Sequence, residues 1–198
     1  MKLLFGYWWP DNQYQGSNVV IRRAADLPRI LKYVKSFDCA VQAGGNVGIF
    51  AKELAKHFKE IHTLEPDREN FECIGMNVKE PNVIKYNKAL SNTYELISVK
   101  APKGMENNCT SYEITQGNIE AIPLDDLNLS PDFISLSLNG YEPFALEGAI
   151  KTIKRNHPAI AFEDRGMFGT KKGACLDFLK EHGYKKLLDL RYTTLCGI

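Results

Sequence analysis

Histidine and cysteine are sparse and scattered in this chain. There are four histidines and five cysteines among 198 residues, with no C-x-x-C and no H-E-x-x-H. That spacing supports neither a zinc framework nor a disulfide scaffold, and no metal site is expected. Cys39 and Cys73 sit inside apolar patterns, so the expectation is reduced, mostly buried thiols in a cytoplasmic protein. Charge of one sign is also missing: 25 Lys and Arg face 24 Asp and Glu, a net charge of +1. The basic pairs Lys154–Arg155, Lys171–Lys172 and Lys185–Lys186 form no stripe, which argues against nucleic acid as the main partner. No apolar run approaches a membrane span, so no membrane is expected. The start, MKLLFGYWWPDNQ, turns polar too soon to read as a signal peptide. Repeats, low-complexity tracts and Pro/Gly-rich linkers are absent. The length suits one domain over 1–198, with core enough to fold. Oligomeric state leaves no signal.

What is present is an alternation of strand and helix patterns. Leu27, Ile30, Leu31 and Val34 predict a helix over 24–37, with Asp26 as N-cap before Pro28. A short buried strand follows at 38–42. Ile49, Phe50, Leu54 and Phe58 form one face of a helix over 46–59. A strand at 61–65 leads to a helix at 66–78 that begins on Pro66. A third strand lies within 82–90. The segment 94–115 alternates on both sides of a turn and predicts a β-hairpin insertion. Strands at 132–138 and 158–164 flank a helix at 141–156. The helix 171–183 ends on Gly183 as its C′ residue. Two strands close the chain, too near each other for a helical crossover, and so antiparallel. The pattern is α/β: a mostly parallel sheet with helices on both faces.

VQAGGNVGIF, residues 41–50, joins the first core strand to its helix. In such sheets ligands sit outside the carboxyl ends of the strands. Gly44 and Gly45 permit positive φ and close backbone approach, and Gly48 lets the helix pack near the strand. Glu65 ends the next strand, 17 residues past Gly48. An acid there can accept hydrogen bonds from both hydroxyls of a ribose. A dinucleotide enzyme uses the same pair, but G-x-G-x-x-G is not met, because positions 46 and 49 are Asn46 and Ile49. S-adenosylmethionine, with adenosine but no pyrophosphate, fits better than a nicotinamide cofactor.

VQAGGNVGIFAKEL, IHTLEPDRENFECIGMNV, NKALSN, IPLDDL, DFISLSLNGYEPFALEGA and PAIAFE follow in that order. Together they resemble the FkbM-type S-adenosylmethionine-dependent methyltransferases over roughly residues 38–165, a phage-encoded branch of them being one option. The resemblance implies a Rossmann-like class I methyltransferase fold, seven-stranded, with an antiparallel C-terminal hairpin. It implies that Gly44, Gly45, Asn46 and Gly48 wrap the methionine part of S-adenosylmethionine and that Glu65 binds its ribose. Pro66, Asp67 and Phe71 would surround ribose and adenine, although Phe71 equally fits a core role beside Ile74 and Val78. Asn87, Lys88 and Ala89 would edge the adenine, although Lys88 also suits a plain surface position. Ser137 and Leu138, on the way to Gly140, would lie beside the methyl group.

Two departures stand out. The family's first motif opens with an acid where this chain has Gln42, which accepts a hydrogen bond without adding charge. The fourth strand typically reads K-x-D-x-E-G-x-E, whereas this chain has Ser135, Ser137 and Asn139 at the three positions up to Gly140 and keeps Glu142. Asn139 and Glu142 rank first as candidates to orient or deprotonate an acceptor, ahead of Ser137 and Glu163; turn and helix-start roles remain the alternative for both. Trp8, Trp9 and Tyr14 either cover the site or pack beneath the sheet. The acceptor pocket is expected from these aromatics, the 94–115 insertion and the loop 164–170. The expected activity is O-methylation of a small-molecule or glycan hydroxyl; the alternative is a protein that binds the cofactor with lost or altered transfer.

Overall fold

The strand patterns assemble into one central sheet in the computed structural model, which describes residues 1–11, 16–100, 113–164 and 171–198. A hairpin of β1 (Lys2–Leu4) and β2 (Tyr7–Trp9) comes first, followed by α1 (Ser17–Ala25) and α2 (Leu27–Ile30). The alternating core then runs β3 (Cys39–Ala43), α3 (Ile49–Leu54), β4 (Glu60–Leu64), α4 (Arg68–Asn77) and β5 (Val83–Tyr86). Short strands β6 (Ala89–Leu90), β7 (Glu95–Lys100), β8 (Glu113–Gln116) and β9 (Ile119–Ile122) interrupt it. It resumes with β10 (Phe133–Leu136), α5 (Glu142–Glu147), α6 (Ile150–Asn156), β11 (Ala159–Phe162), α7 (Ala174–Glu181), β12 (Lys185–Asp189) and β13 (Thr194–Gly197).

The main sheet has seven strands in the order β12-β13-β11-β10-β3-β4-β5. Strands β11, β10, β3, β4 and β5 are parallel, and β13 runs antiparallel to both β11 and β12. The central strands are buried on both faces, which is why they are largely apolar without the alternation of a half-exposed strand. On one face Val41, Leu64, Ile134 and Phe162 pack under α5, α6 and α7 through Leu146, Ile153 and Leu179. On the other, Ala40, Ile61 and Phe133 pack under Leu27 and Ile30 of α2, Leu54 of α3 and Ile74 of α4. Strand order reverses between β3 and β10, so their carboxyl ends open a crevice there.

Several expected helices are shorter, each for a local reason. The helix expected over 24–37 breaks because Pro28 has no N–H to give to Ala24 and its ring crowds that carbonyl. The chain instead forms α1, α2 and a 3₁₀ turn at Leu31–Tyr33, with Val34 extended. Asp26 makes no side-chain cap; its carboxylate meets Arg29 at 3.4 Å. The helix expected from 46 starts at Ile49, because Asn46 and Gly48 adopt positive φ (49° and 91°). Asp67 rather than Pro66 begins α4: its carboxylate accepts the Asn70 N–H at 2.9 Å. The helix expected over 141–156 divides at Gly148, where a Cβ would stand 2.0 Å from the Ser91 carbonyl oxygen. Gly183 does end α7, at φ 84°. Its N–H and that of Tyr184 donate to the Lys180 and Leu179 carbonyls, both at 3.0 Å, the Schellman pattern.

The strand expected within 82–90 is β5, and the residues after it form β6, which joins a second sheet of order β6-β9-β7-β8. Within it β7 and β8 pair antiparallel, as the hairpin reading requires; its connecting residues, 101–112, lie outside the described residues, as do Tyr14 and the loop 165–170. Cys39, Cys73, Cys175 and Cys196 are free and buried. No helix among the described residues is long and apolar enough to cross a membrane.

Candidate active site

The crevice at the β3–β10 reversal is walled by the glycine loop, the end of β4, the second sheet, the β10 turn and α1. Gly44 is its tightest point. At φ 81°, a Cβ there would lie 2.0 Å from the Ser137 carbonyl oxygen, so only glycine lets the two strand ends meet. The Gly44 and Gly45 N–H groups both donate to the Leu64 carbonyl, at 3.1 and 2.9 Å. Gln42 braces this loop from below. Its Nε2 donates to the Gly44 carbonyl at 2.7 Å, and its Oε1 accepts from Thr63 Oγ1 at 2.5 Å. A carboxylate could not make the first of these bonds, since it has no donor. Gly48 does not line the crevice. Its α-carbon faces α4, where a Cβ would come within 2.5 Å of Val78 Cγ2, so it packs helix on helix rather than helix on strand.

Glu65 is buried and faces the crevice. Its Oε2 accepts the Asn46 N–H at 2.6 Å and its Oε1 the Asp67 N–H at 2.9 Å. Burial pushes this carboxyl up to about 8, and the Asp67 charge adds to the rise against the backbone donors. With the Asn70 side chain these make three bonds, and an ionised carboxylate with about four lone-pair sites keeps room for a further donor. Pro66, Lys88 and Ala89 line the wall beyond, with Leu90 of β6 and Ile97 and Val99 of β7. Lys88 pairs with the Glu120 carboxylate. Asp67 is occupied in capping α4, and Phe71 packs among the core residues under α3 and α4; neither lines the crevice. Asn87 acts from outside, donating to the Glu65 and Pro66 carbonyls at 2.9 and 3.1 Å.

Ser135, Ser137, Leu138, Asn139 and Tyr141 bring the end of β10 and its turn to the crevice. Asn139 (φ 56°) and Gly140 (φ 104°) form the turn. The structure does not bring Glu142 to the crevice. This fully buried carboxyl accepts the Leu138 and Gly140 N–H groups at 2.7 and 2.8 Å, and burial holds it up at about 7. It shapes the turn that presents Asn139. Glu163, just past β11, reaches the lining from behind: its Oε1 accepts from Ser137 Oγ at 2.7 Å and pairs with the Arg23 guanidinium. Arg23 Nη1 also donates to Ser137 Oγ, at 2.6 Å.

Arg23 was not anticipated. It reaches the crevice with Val20 from α1, whereas Trp8 and Trp9 do not line it. Trp9 is fully buried beside Val47, Ile49 and Cys73, so of the two expected roles it takes the packing one. The pattern held a signal: Val20, Arg23, Ala24 and Leu27 stand at i, i+3, i+4 and i+7, which sets an arginine on an apolar helix face. At Ser137 a cation from α1, Arg23, and the acid after β11, Glu163, come together.

A family model described as the methyltransferase FkbM domain matches residues 42–186. No curated protein sequence matches the chain. Similar solved structures include methyltransferase FkbM from Methylobacillus flagellatus KT, with a TM-score of 0.57 and 18% identity over 81% of this chain and 43% of that one. The chain thus spans less than half the length of that relative. Precorrin-6y C5,15-methyltransferase from Geobacter metallireducens GS-15 gives 0.53 and 17%, over 97% and 95% of the two chains. The Streptococcus mutans protein SMU.1697c, in complex with SAH, gives 0.55 and 12%, over 88% and 97%. At these identities the likeness is one of fold.

Proposed function

We propose that this chain, which belongs to the methyltransferase FkbM domain family and is a methyltransferase by family and fold, uses S-adenosylmethionine to methylate a hydroxyl of a small or carbohydrate-like acceptor. The observation that carries the reading is the buried Glu65 carboxylate facing the crevice beside Gly44, whose bare α-carbon lets the β3 and β10 ends meet. The residues present fit the cofactor. Glu65 keeps acceptor capacity for a ribose hydroxyl, Gly44 and Gly45 line the crevice at the end of β3, and Ala89, Leu90, Ile97 and Val99 offer an apolar wall for a purine. Bound there, the cofactor supplies an electrophilic methyl group on a sulfonium.

Asn139 and Ser137 stand where an acceptor hydroxyl would be oriented. Glu163 takes its proton, relayed by Ser137 Oγ, with the Arg23 guanidinium paired to both. A positioned base contributes about 10²–10⁴-fold, and positioning alone up to ~7–11 kcal/mol in the best oriented cases. A second reading, cofactor binding without transfer, is favoured by the neutral Ser135, Ser137 and Asn139; the Arg23–Glu163 pair weighs against it. The buried free thiols support a cytoplasmic setting.

The test is calorimetry with S-adenosylmethionine and S-adenosylhomocysteine, followed by transfer of a labelled methyl group across small and sugar hydroxyls. Saturable binding that weakens in Glu65→Ala, together with label transfer, is the expected result. Binding without transfer selects the second reading. No binding by calorimetry or by a fluorescence probe sinks both.

A further inference from the structure

The opposite end of the main sheet carries a cluster that the methyltransferase reading does not use. Cys39 opens β3 and Glu60 opens β4, and the register sets the two directly across from each other. Two residues on, His62 points to the same face as Glu60. Residues from three strands thus become neighbours, since Tyr86 of β5 adds its hydroxyl 2.9 Å from His62 Nδ1. His62 Nε2 stands 2.7 Å from Glu60 Oε1. The Cys39 sulfur, that carboxylate oxygen and a ring nitrogen of His62 all lie within 4.8 Å of one another.

We propose that Cys39, Glu60 and His62 form a zinc-binding site at the amino-terminal rim of the sheet. Thiolate, imidazole and carboxylate are the three ligand types zinc takes, and three protein ligands leave a fourth position for water. Cys39 and Glu60 together carry two negative charges when ligated, which balances Zn²⁺. The Cys39 thiol gives up its proton to solvent as the metal enters. His62 binds through Nε2 and keeps its proton on Nδ1, where it donates to Tyr86 Oη; that outer bond fixes the ring and its tautomer. Asp132 holds the β3 ligand's backbone, accepting the Cys39 N–H at 3.1 Å. His62 and Cys39 are buried, while the Glu60 side chain is 51% exposed. Glu60 is therefore both the entry path and the adjustable ligand: tetrahedral coordination needs ligand atoms about 3–4 Å apart, and this side chain can swing to accommodate the ion.

The test is a titration of the full chain, stripped with a chelator, with Co²⁺ as a spectroscopic probe. Expected are a near-ultraviolet thiolate-to-cobalt band and intense visible bands of a tetrahedral ion, saturating at one equivalent and bleached by Zn²⁺. Cys39→Ser should abolish the near-ultraviolet band, whereas Cys196→Ser should keep it. Glu60→Gln, at an exposed position that leaves the fold intact, should weaken Zn²⁺ binding at least ~10-fold, the loss that even an outer partner causes. Absence of the thiolate band, its persistence in Cys39→Ser, or unchanged Zn²⁺ affinity in Glu60→Gln would each overturn the proposal.

Discussion

Cofactor affinity should rise with pH, and Glu65 sets by how much. In the free protein, burial holds this carboxyl up at about 8. Ribose hydroxyls donate to the ionised carboxylate and so favour it. Binding then releases a proton wherever the free carboxyl is protonated, and affinity falls about tenfold per pH unit below 8. Between pH 8 and pH 6 the loss is about 50-fold. The same group acts oppositely on stability. Its folded pKa lies above its unfolded value of about 4.3, so the neutral carboxyl stabilises the fold most below that value. The contribution, up to roughly 5 kcal/mol, is lost as pH rises from about 4 to about 8. Glu142, held up at about 7 by burial, acts in the same direction. The difference between wild type and Glu65→Gln therefore isolates Glu65. Calorimetry at pH 6, 7 and 8, in two buffers of unlike ionisation enthalpy, reads both affinity and proton release; thermal melts of the free protein read stability. Affinity that is flat from pH 6 to 8, or the same slope in Glu65→Gln, would refute the reasoning.

Gly44→Ala forces positive φ on a Cβ at about 1–2 kcal/mol and overpacks the Ser137 carbonyl at about 1–3 kcal/mol. At ~2–4 °C per kcal/mol its melting point should drop by about 4–20 °C, with cofactor binding lost. Gly183→Ala has similar φ but nothing within 4 Å, so it should lose only the ~1–2 kcal/mol of backbone strain. Arg23→Met strips the guanidinium from a buried acid and should cost ~3–5 kcal/mol and ~10²-fold or more in kcat; adding Glu163→Gln should restore stability but not turnover, read by urea unfolding beside methyl transfer. Asn77→Ala removes bonds to the Trp8 N–H, the Trp8 carbonyl and the Val47 carbonyl, at 2.7, 2.8 and 2.8 Å. At ~1 kcal/mol each it should cost about 3 kcal/mol in the same unfolding assay.

Glu65 and Gly44 were legible in the sequence because their constraints are local: an acid closing a buried strand, and glycines where the chain must turn sharply. The antiparallel tail was legible for the same kind of reason, since fifteen residues or so cannot hold two strands and a helix. Glu142 was misread because its place after a strand suits both a crevice and a turn. Only the fold shows its oxygens turned back onto the Leu138 and Gly140 amides. Gly48 presents the same difficulty: the residue it must avoid, Val78, stands at the C-cap of the next helix. Arg23 and Ser137 are 114 positions apart, and no spacing rule joins them. The pairing of Cys39 with Glu60 is likewise a matter of register, which a list of scattered ligands conceals.

The family match begins at residue 42, yet the cation beside Ser137 arrives from position 23. The inherited unit and the working cleft therefore have different borders. A version trimmed to the matched segment would lose three of the five residues of β3 and the whole of β13 together with Val20 and Arg23, so the borders of the match are not those of a folding unit. On the proposed reading, α1 is the wall that can change with the acceptor while the glycine loop and its acid stay as they are.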